Sequence, residues 1–339
     1  KIKMTQQTNL ALKKLQGIKP KGVKLRAKTN FEKLFEIENI LFEEYPDSNS
    51  TSLLHNMGLD NKLINKCFVN LDFSESDLIN YIESKLGFCS EEYEEHVVGC
   101  YTGRLLSHLC DLNRKKGKPT IFHIDGRGEK FNYLLNDAWD IDIDTVIVEN
   151  FKGEDICNEF AFSGNVNLAI FRNLGEDSVD KVGYRGQVDL MVADNIQTSF
   201  YIQTVGGYNA HPNLVIAKNF NEEFLINRYD SSQYSCVCAR SGVISIEDSV
   251  GHFNRVLSLF NLEKLLLKST DYTVEDDKFL FNKLFTLEEH TKEYEQLRED
   301  LKIDEILYLA DETKGKSKNE IIELTNQMKT IYEEIKHLL

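Results

Sequence analysis

The amino-acid sequence predicts an α+β protein centred on a parallel β-solenoid: a right-handed β-helix of about six coils with a ~23-residue repeat, flanked by N- and C-terminal helical domains. The first observation is a set of short runs, Asp144-Thr-Val-Ile-Val-Glu-Asn150, Asn167-Leu-Ala-Ile-Phe-Arg-Asn173, Asp189-Leu-Met-Val-Ala-Asp-Asn195 and Asn213-Leu-Val-Ile-Ala-Lys-Asn219, whose closing asparagines stand 23, 22 and 24 residues apart. The second is that weaker copies flank them, Thr120 to Gly126 before and Ser235 to Ser241 after. The third is the character of the aligned columns: polar first, then almost wholly apolar for four positions, then charged. Such an apolar stretch suits a parallel strand buried on both faces, so the outer face of the sheet needs a cover.

In chain order, the sequence divides into a basic arm (1–28), an N-terminal helical domain (29–118), the repeat solenoid (119–248) and C-terminal helices ending in a hairpin (249–339). Residues 1 to 31 carry nine basic side chains and no acid; removing them from the net charge of −15 leaves −24 on the remainder. A basic arm on an acidic body is suited to binding RNA through its phosphates, with Lys13, Lys14, Lys19, Lys21, Lys24, Arg26 and Lys28 as candidate contacts. The arm has no aromatic platform, so its contact would be unspecific in sequence. Alternatively it is a solubilising tail. Thr29 and Glu32 form a capping box that opens an amphipathic helix carrying Phe31, Leu34, Ile37 and Leu41 and stopping before Pro46. A second helix is expected from about Asp77 to Leu86, ending at Gly87, and a third from about Glu91 to Asn113. Together they cap the open end of the solenoid, which would otherwise expose an edge.

Within the solenoid, Asn150, Asn173, Asn195 and Asn219 are expected to stack at about 4.8 Å into a buried amide ladder. The apolar residue after each, Phe151, Leu174, Ile196 and Phe220, forms a parallel ladder. The charged column, Asp125, Glu149, Arg172, Asp194, Lys218 and Arg240, reads as a solvated ladder with opposite signs adjacent at several steps, worth little per pair. On these terms Asn195→Leu would destabilise more than Asp194→Ala. The second half of each unit is less regular. A short return strand there makes a β-helix, whereas a helical turn makes a β/α solenoid, and Leu168, Ile170 and Asn173 echo part of the leucine-rich-repeat pattern. The upstream leucine of that pattern is replaced by Asn165 and Gln187, which favours the β-helix.

Beyond the repeat, His252 to Lys268 reads as an apolar helix, followed by an acidic linker around Glu275 to Asp277. In the terminal hairpin, Leu287, Tyr294, Leu297 and Leu301 mark the first arm, and residues Asp311 to Lys316 form the connection. Ser317 and Glu320 cap the second arm, whose stripe is Ile321, Leu324, Met328, Ile331, Ile335 and Leu338. That stripe pairs within the chain or, failing that, makes a homodimer.

No stretch approaches the ~20 apolar residues of a membrane span, and no signal-peptide core precedes the arm, so a cytoplasmic protein without membrane attachment is expected. The chain starts at Lys1, which leaves room for residues upstream. Its seven cysteines include no Cys-x-x-Cys pair and suit a reducing compartment; Cys236 and Cys238 read as core residues. His123, Asp125, Arg127 and Glu129 alternate in the first run and form a candidate polar site, although Gly126 and Gly128 suggest a turn. His211 sits before Pro212 in an insertion that lengthens the fourth unit. No catalytic residue, metal site or cofactor is assigned. The expectation is a non-catalytic scaffold or adaptor for a protein or ribonucleoprotein, touching RNA through the arm. The order of helical domain, β-helix and helical domain also resembles the Suf-type scaffolds, which would imply iron–sulfur assembly. A solenoid enzyme acting on carbohydrate would instead need a carboxylate groove and an exported chain.

Overall fold

A computed structural model of the chain describes residues 28–46, 59–88, 90–175, 178–179, 182–183, 186–196, 211–218, 241–247, 262–267, 281–286 and 291–339. Helix α1 (Asn30–Glu44) starts at the expected capping box, where Glu32 N donates to Thr29 Oγ1 and Thr29 N to Glu32 Oε2. Helix α2 (Asn61–Phe68), capped by Asp60, was not legible in the sequence. Helix α3 (Glu75–Ser84) begins two residues before the expected Asp77, because Ser74 and Asp77 form its capping box. Helix α4 (Glu92–Lys115) is the longest of the four. Leu34, Leu41, Tyr81, Val97, Tyr101 and Leu105 are buried where these helices meet.

The repeat is a parallel β-solenoid. Strands β1 (Ile121–Asp125), β2 (Asp142–Phe151), β3 (Asn165–Leu174), β4 (Gln187–Ile196), β5 (His211–Lys218), β6 (Ser241–Glu247), β7 (Leu262–Leu267) and β8 (Phe281–Thr286) form one sheet in chain order. Asp142 lies opposite Asn165, and Asn165 opposite Gln187, so the column register read from the sequence is the pairing register. His211 is therefore in strand β5, opposite Gln187, and not in a loop insertion. Opposite Leu214 lies Val243, so the sixth strand is Ser241–Glu247 and not the run Ser235 to Ser241. Residues 262–267, expected to be helical, are strand β7. A short leucine-rich run fits either element, and pairing on both sides decides for the sheet.

Strands β2 to β5 bury both faces, as their apolar runs require. Val146, Val148, Ala169, Phe171, Met191, Ala193, Val215 and Ala217 face the interior of the solenoid. Ile147, Leu168, Ile170, Leu190, Val192, Leu214 and Ile216 face the C-terminal helices. Those helices number three among the described residues, α5 (Thr291–Asp300), α6 (Ile303–Glu312) and α7 (Lys318–Ile335), where two hairpin arms were expected. The break falls at Lys302, which has φ 51° and starts a new helix. The α7 residues Ile321, Met328, Ile331 and Ile335 belong to the same core as the outer sheet face.

The return limbs between strands are neither second strands nor helices where they are described. Tyr133, Leu135 and Asp137, then Asp155, Cys157, Glu159 and Ala161, have positive φ at every second residue. Each such non-glycine residue costs about 1–2 kcal/mol of local strain, and the coils offset it by stacking their amides. Cys157 N donates to Leu134 O and Ala161 N to Ala138 O, each at 2.8 Å, and Val179 N to Ile156 O at 2.7 Å.

Two backbone approaches set the coil spacing. A Cβ on Gly164 would stand 1.9 Å from Ile141 O, and one on Gly186 would stand 2.2 Å from Gly164 O. Helix α4 closes the first coil in the same way, since a Cβ on Gly103 would stand 1.9 Å from Asn136 O. Nearby, Leu135 N donates to Thr102 Oγ1 at 2.9 Å, and the buried Arg104 Nε donates to Asp137 Oδ2 at 2.7 Å.

Gly164→Ala is expected to lower stability by at least about 2 kcal/mol, since backbone rather than a movable side chain blocks the methyl group; a urea midpoint unchanged from the parent would contradict this packing. Burial pushes the Asp137 carboxyl up to about 6 despite Arg104 and the Leu59 amide, which pull it down. A carboxyl raised in the folded state takes up its proton there first, so its contribution to stability grows as pH falls from about 7 through 6 and is lost as pH rises again. Asp137→Asn should lack this increment, which urea midpoints of both proteins at about pH 7 and pH 5 will show.

Candidate functional site

Two polar columns leave the ends of the strands side by side, and their surroundings are the reverse of those expected. The charged column is buried: Glu149 is 2% exposed, Arg172 1% and Asp194 6%. It follows Ile147, Ile170 and Val192 by two residues, which puts it on the sheet face covered by the C-terminal helices. The expected solvated ladder is thus an internal one, because the helices extend over the strand ends.

Arg172 joins the two layers. Its Nη1 donates to Glu149 Oε2 at 2.6 Å, and its Nη2 to Ala310 O at 2.5 Å and to Thr313 Oγ1 at 3.3 Å. Ala310 O lies in the last turn of α6, where the helix dipole favours a cation. On the other side of Glu149, His123 Nε2 lies 2.7 Å from Oε1. Burial alone would raise the Glu149 carboxyl, but the His123 bond and the Arg172 charge outweigh it and hold the carboxyl below its usual value. Further along, Lys218 pairs with Asp311 at 3.1 Å, and Lys314 reaches Asp311 at 2.7 Å and Asp194 at 3.6 Å. Arg240, expected next in this column, lies outside the described residues; Glu247 stands opposite Lys218 instead.

The asparagine column stacks as expected but lies at the surface. Asn195 Nδ2 donates to Asn173 Oδ1 at 2.8 Å, Asn173 Nδ2 to Asn150 Oδ1 at 2.7 Å, and Asn150 Nδ2 to Asp125 Oδ1 at 2.9 Å. Asn219 lies outside the described residues. The three residues have φ of 60°, 51° and 54°, a left-handed corner that asparagine tolerates better than most side chains. Every described ladder donor points toward the Asp125 carboxylate, which ends the series with a negative charge at its donor end. A groove of about 540 Å³ follows the ladder, lined by Asp125, Arg127, Lys152, Asn150, Asn173 and Asn195 among others.

The four residues of the candidate polar site have separate partners. His123 meets Glu149, Asp125 accepts from Arg127 N and from Asn150, and Arg127 Nη2 donates to Glu83 Oε1 at 2.6 Å. Glu129 is exposed. They do not converge on one reacting point. Of the arm residues, Lys28 forms an ion pair with Glu36, and Lys13, Lys14, Lys19, Lys21, Lys24 and Arg26 lie outside the described residues. The same holds for Cys236 and Cys238. Among the described residues no group of three or more His, Cys, Asp and Glu is placed to hold a metal ion.

Two further columns join the coils: the polar first position of each run, read from the sequence, and an aromatic column that was not. At the strand starts, Asn167 Nδ2 donates to Asp144 Oδ1 at 3.1 Å and Asn213 Nδ2 to Asp189 Oδ1 at 3.0 Å, with Lys329 and Tyr332 of α7 bonded to the same column. On the return limb Trp139 and Phe162 stand 5.6 Å apart, ring centroid to centroid. The signal for the latter was an aromatic residue 11 positions before each ladder asparagine, continuing at Tyr184 and Tyr208, which lie outside the described residues. Compared with protein families, with curated proteins and with solved structures, the chain shows no match.

With the charged column buried and the asparagine column exposed, the larger loss is now expected at Asp194 and not at Asn195. Asn195→Gly keeps the left-handed corner and removes one exposed rung, for a loss of about 1 kcal/mol, whereas Asp194→Ala strips a charge from a buried network and should cost about 2–4 kcal/mol. Urea midpoints of both variants decide, and a larger loss for Asn195→Gly would refute the burial described here.

Proposed function

We propose that the protein is a non-catalytic cytoplasmic scaffold whose rigid solenoid presents a surface to a ribonucleoprotein, with the N-terminal arm tying it to RNA. The observation that carries this reading is the charge asymmetry: nine basic side chains and no acid in residues 1 to 31, against −24 on the rest. An acidic body repels phosphate, so a local cluster of cations dominates any contact with RNA. The solenoid supports the reading from a second side. Its outer sheet face is covered by helices that bring Arg172 into a buried pair and Lys218 and Lys314 into partly exposed ones, so the body offers a fixed shape and not an open cationic cleft. In this proposal the repeat continues through all eight strands, the N-terminal helices cap its first coil and the C-terminal helices cover its outer face. No helix among the described residues is long and apolar enough to cross a membrane.

RNA affinity of the full chain is expected to fall more than about tenfold for a fourfold rise in salt. A full-length variant with Lys13, Lys14, Lys19, Lys21, Lys24, Arg26 and Lys28 replaced by alanine should lose most of that affinity and most of its salt dependence. Filter binding at two salt concentrations tests both. Equal affinity for parent and variant would remove the arm from the reading.

A further inference from the structure

We propose that the groove along the asparagine ladder is a base-reading site for single-stranded RNA, selective for adenine. The proposal rests on the RNA reading above and assigns a different part of the molecule to it. The ladder uses one N–H of each described amide and one carbonyl lone pair of Asn150 and Asn173 along the solenoid axis, as the three stacked bonds from Asn195 to Asp125 show. The N–H used is the one that points away from the carbonyl. The remaining N–H and the remaining lone pair of each amide therefore share its outer edge, a donor beside an acceptor. Adenine offers the matching pair at N6 and N7, and a side-chain amide contacts both at once.

Three features place this edge where RNA can meet it. Asn173 is exposed and its neighbours Asn150 and Asn195 are partly so, and all three line the open groove. Lys152 stands on the same groove, and of the two groove cations it is the one without a carboxylate partner among the described residues, since Arg127 is paired with Glu83. Lys152 makes no ion pair among the described residues, which leaves it available to a phosphate. A base bonded to both groups of one amide lies in the plane of that amide, along the solenoid axis, and is wider than the ~4.8 Å rung spacing, so each base covers more than one rung and the strand must be unstacked. Sequence-specific RNA recognition generally uses such splayed bases. The arm supplies affinity without sequence preference, and the ladder supplies the preference.

Anisotropy titrations of labelled oligo(A), oligo(C) and oligo(U) of equal length, on the full chain, test this. Oligo(A) is expected to bind about three- to tenfold more tightly than the others. Asn173→Gly keeps the φ of 51° accessible and removes the central amide, so it should level the three affinities. Lys152→Ala should weaken all three alike. The arm variant with alanine at the seven cationic positions should weaken all three and keep the order. Urea midpoints certify that Asn173→Gly is folded, and Asn195→Gly serves as the second ladder variant. An equal affinity of the parent for all three oligomers, or a preference that survives both ladder variants, overturns the groove assignment and leaves the arm intact. Absence of binding to any of them overturns both.

Discussion

Arg172 is the side chain on which the arrangement of layers depends. A single guanidinium, 1% exposed, bonds the Glu149 carboxylate in the neighbouring coil and a carbonyl at the end of a C-terminal helix. Apolar burial alone would hold those helices on the sheet, since Leu168, Ile170, Leu190 and Val192 present a continuous apolar face. Such a face is nearly the same at every rung, however, and dispersion has little directional preference. A buried cation with fixed partners has one acceptable position, because a shift along the sheet would leave both Arg172 and Glu149 desolvated and unpaired. Lys314 with Asp194 and Lys218 with Asp311 add partly exposed pairs one and two coils further on. We read the charges as fixing where the helices sit and the apolar contacts as holding them there.

Much of this was legible before the structure. The repeat register, the need for a cover on the outer face and the capping boxes at Thr29 and Ser317 all follow from spacing and side-chain chemistry. The positions of the two polar columns did not follow, for a definite reason. Adjacent residues at the end of a strand alternate between faces, and a one-dimensional pattern does not say which face the covering helices extend across. The charges on α6 and its following turn, Asp311 and Lys314, were the complementary signal, but Asp311 lies 93 residues from Lys218, and Lys314 lies farther still from Asp194. The return limbs were misread because their backbone alternates in a way that matches neither the strand nor the helix period.

The candidate site shows the same division. The asparagine ladder was visible as a column, and its left-handed corners explain why asparagine recurs there even though the amides are not buried. The groove cation Lys152 carries no periodic signature, and Arg127 was legible only as one member of a cluster that the fold disperses. Features that repeat are read from sequence with confidence in their register, whereas features that occur in one coil depend on the neighbours that the chain brings to them.

The bond from Arg172 to Ala310 O spans 138 residues, whereas the coils bond to one another across about one repeat. Assembly is therefore vectorial. During synthesis the α4 helix emerges before the solenoid and gives the first coil a template, and each later coil is deposited on the one before it. The outer sheet face meanwhile waits, uncovered, for the last helices to leave the ribosome. A chain that stops short of residue 303 would carry a finished sheet with an apolar face that nothing of its own can close, so quality-control proteases and chaperones would recognise truncation products at that face.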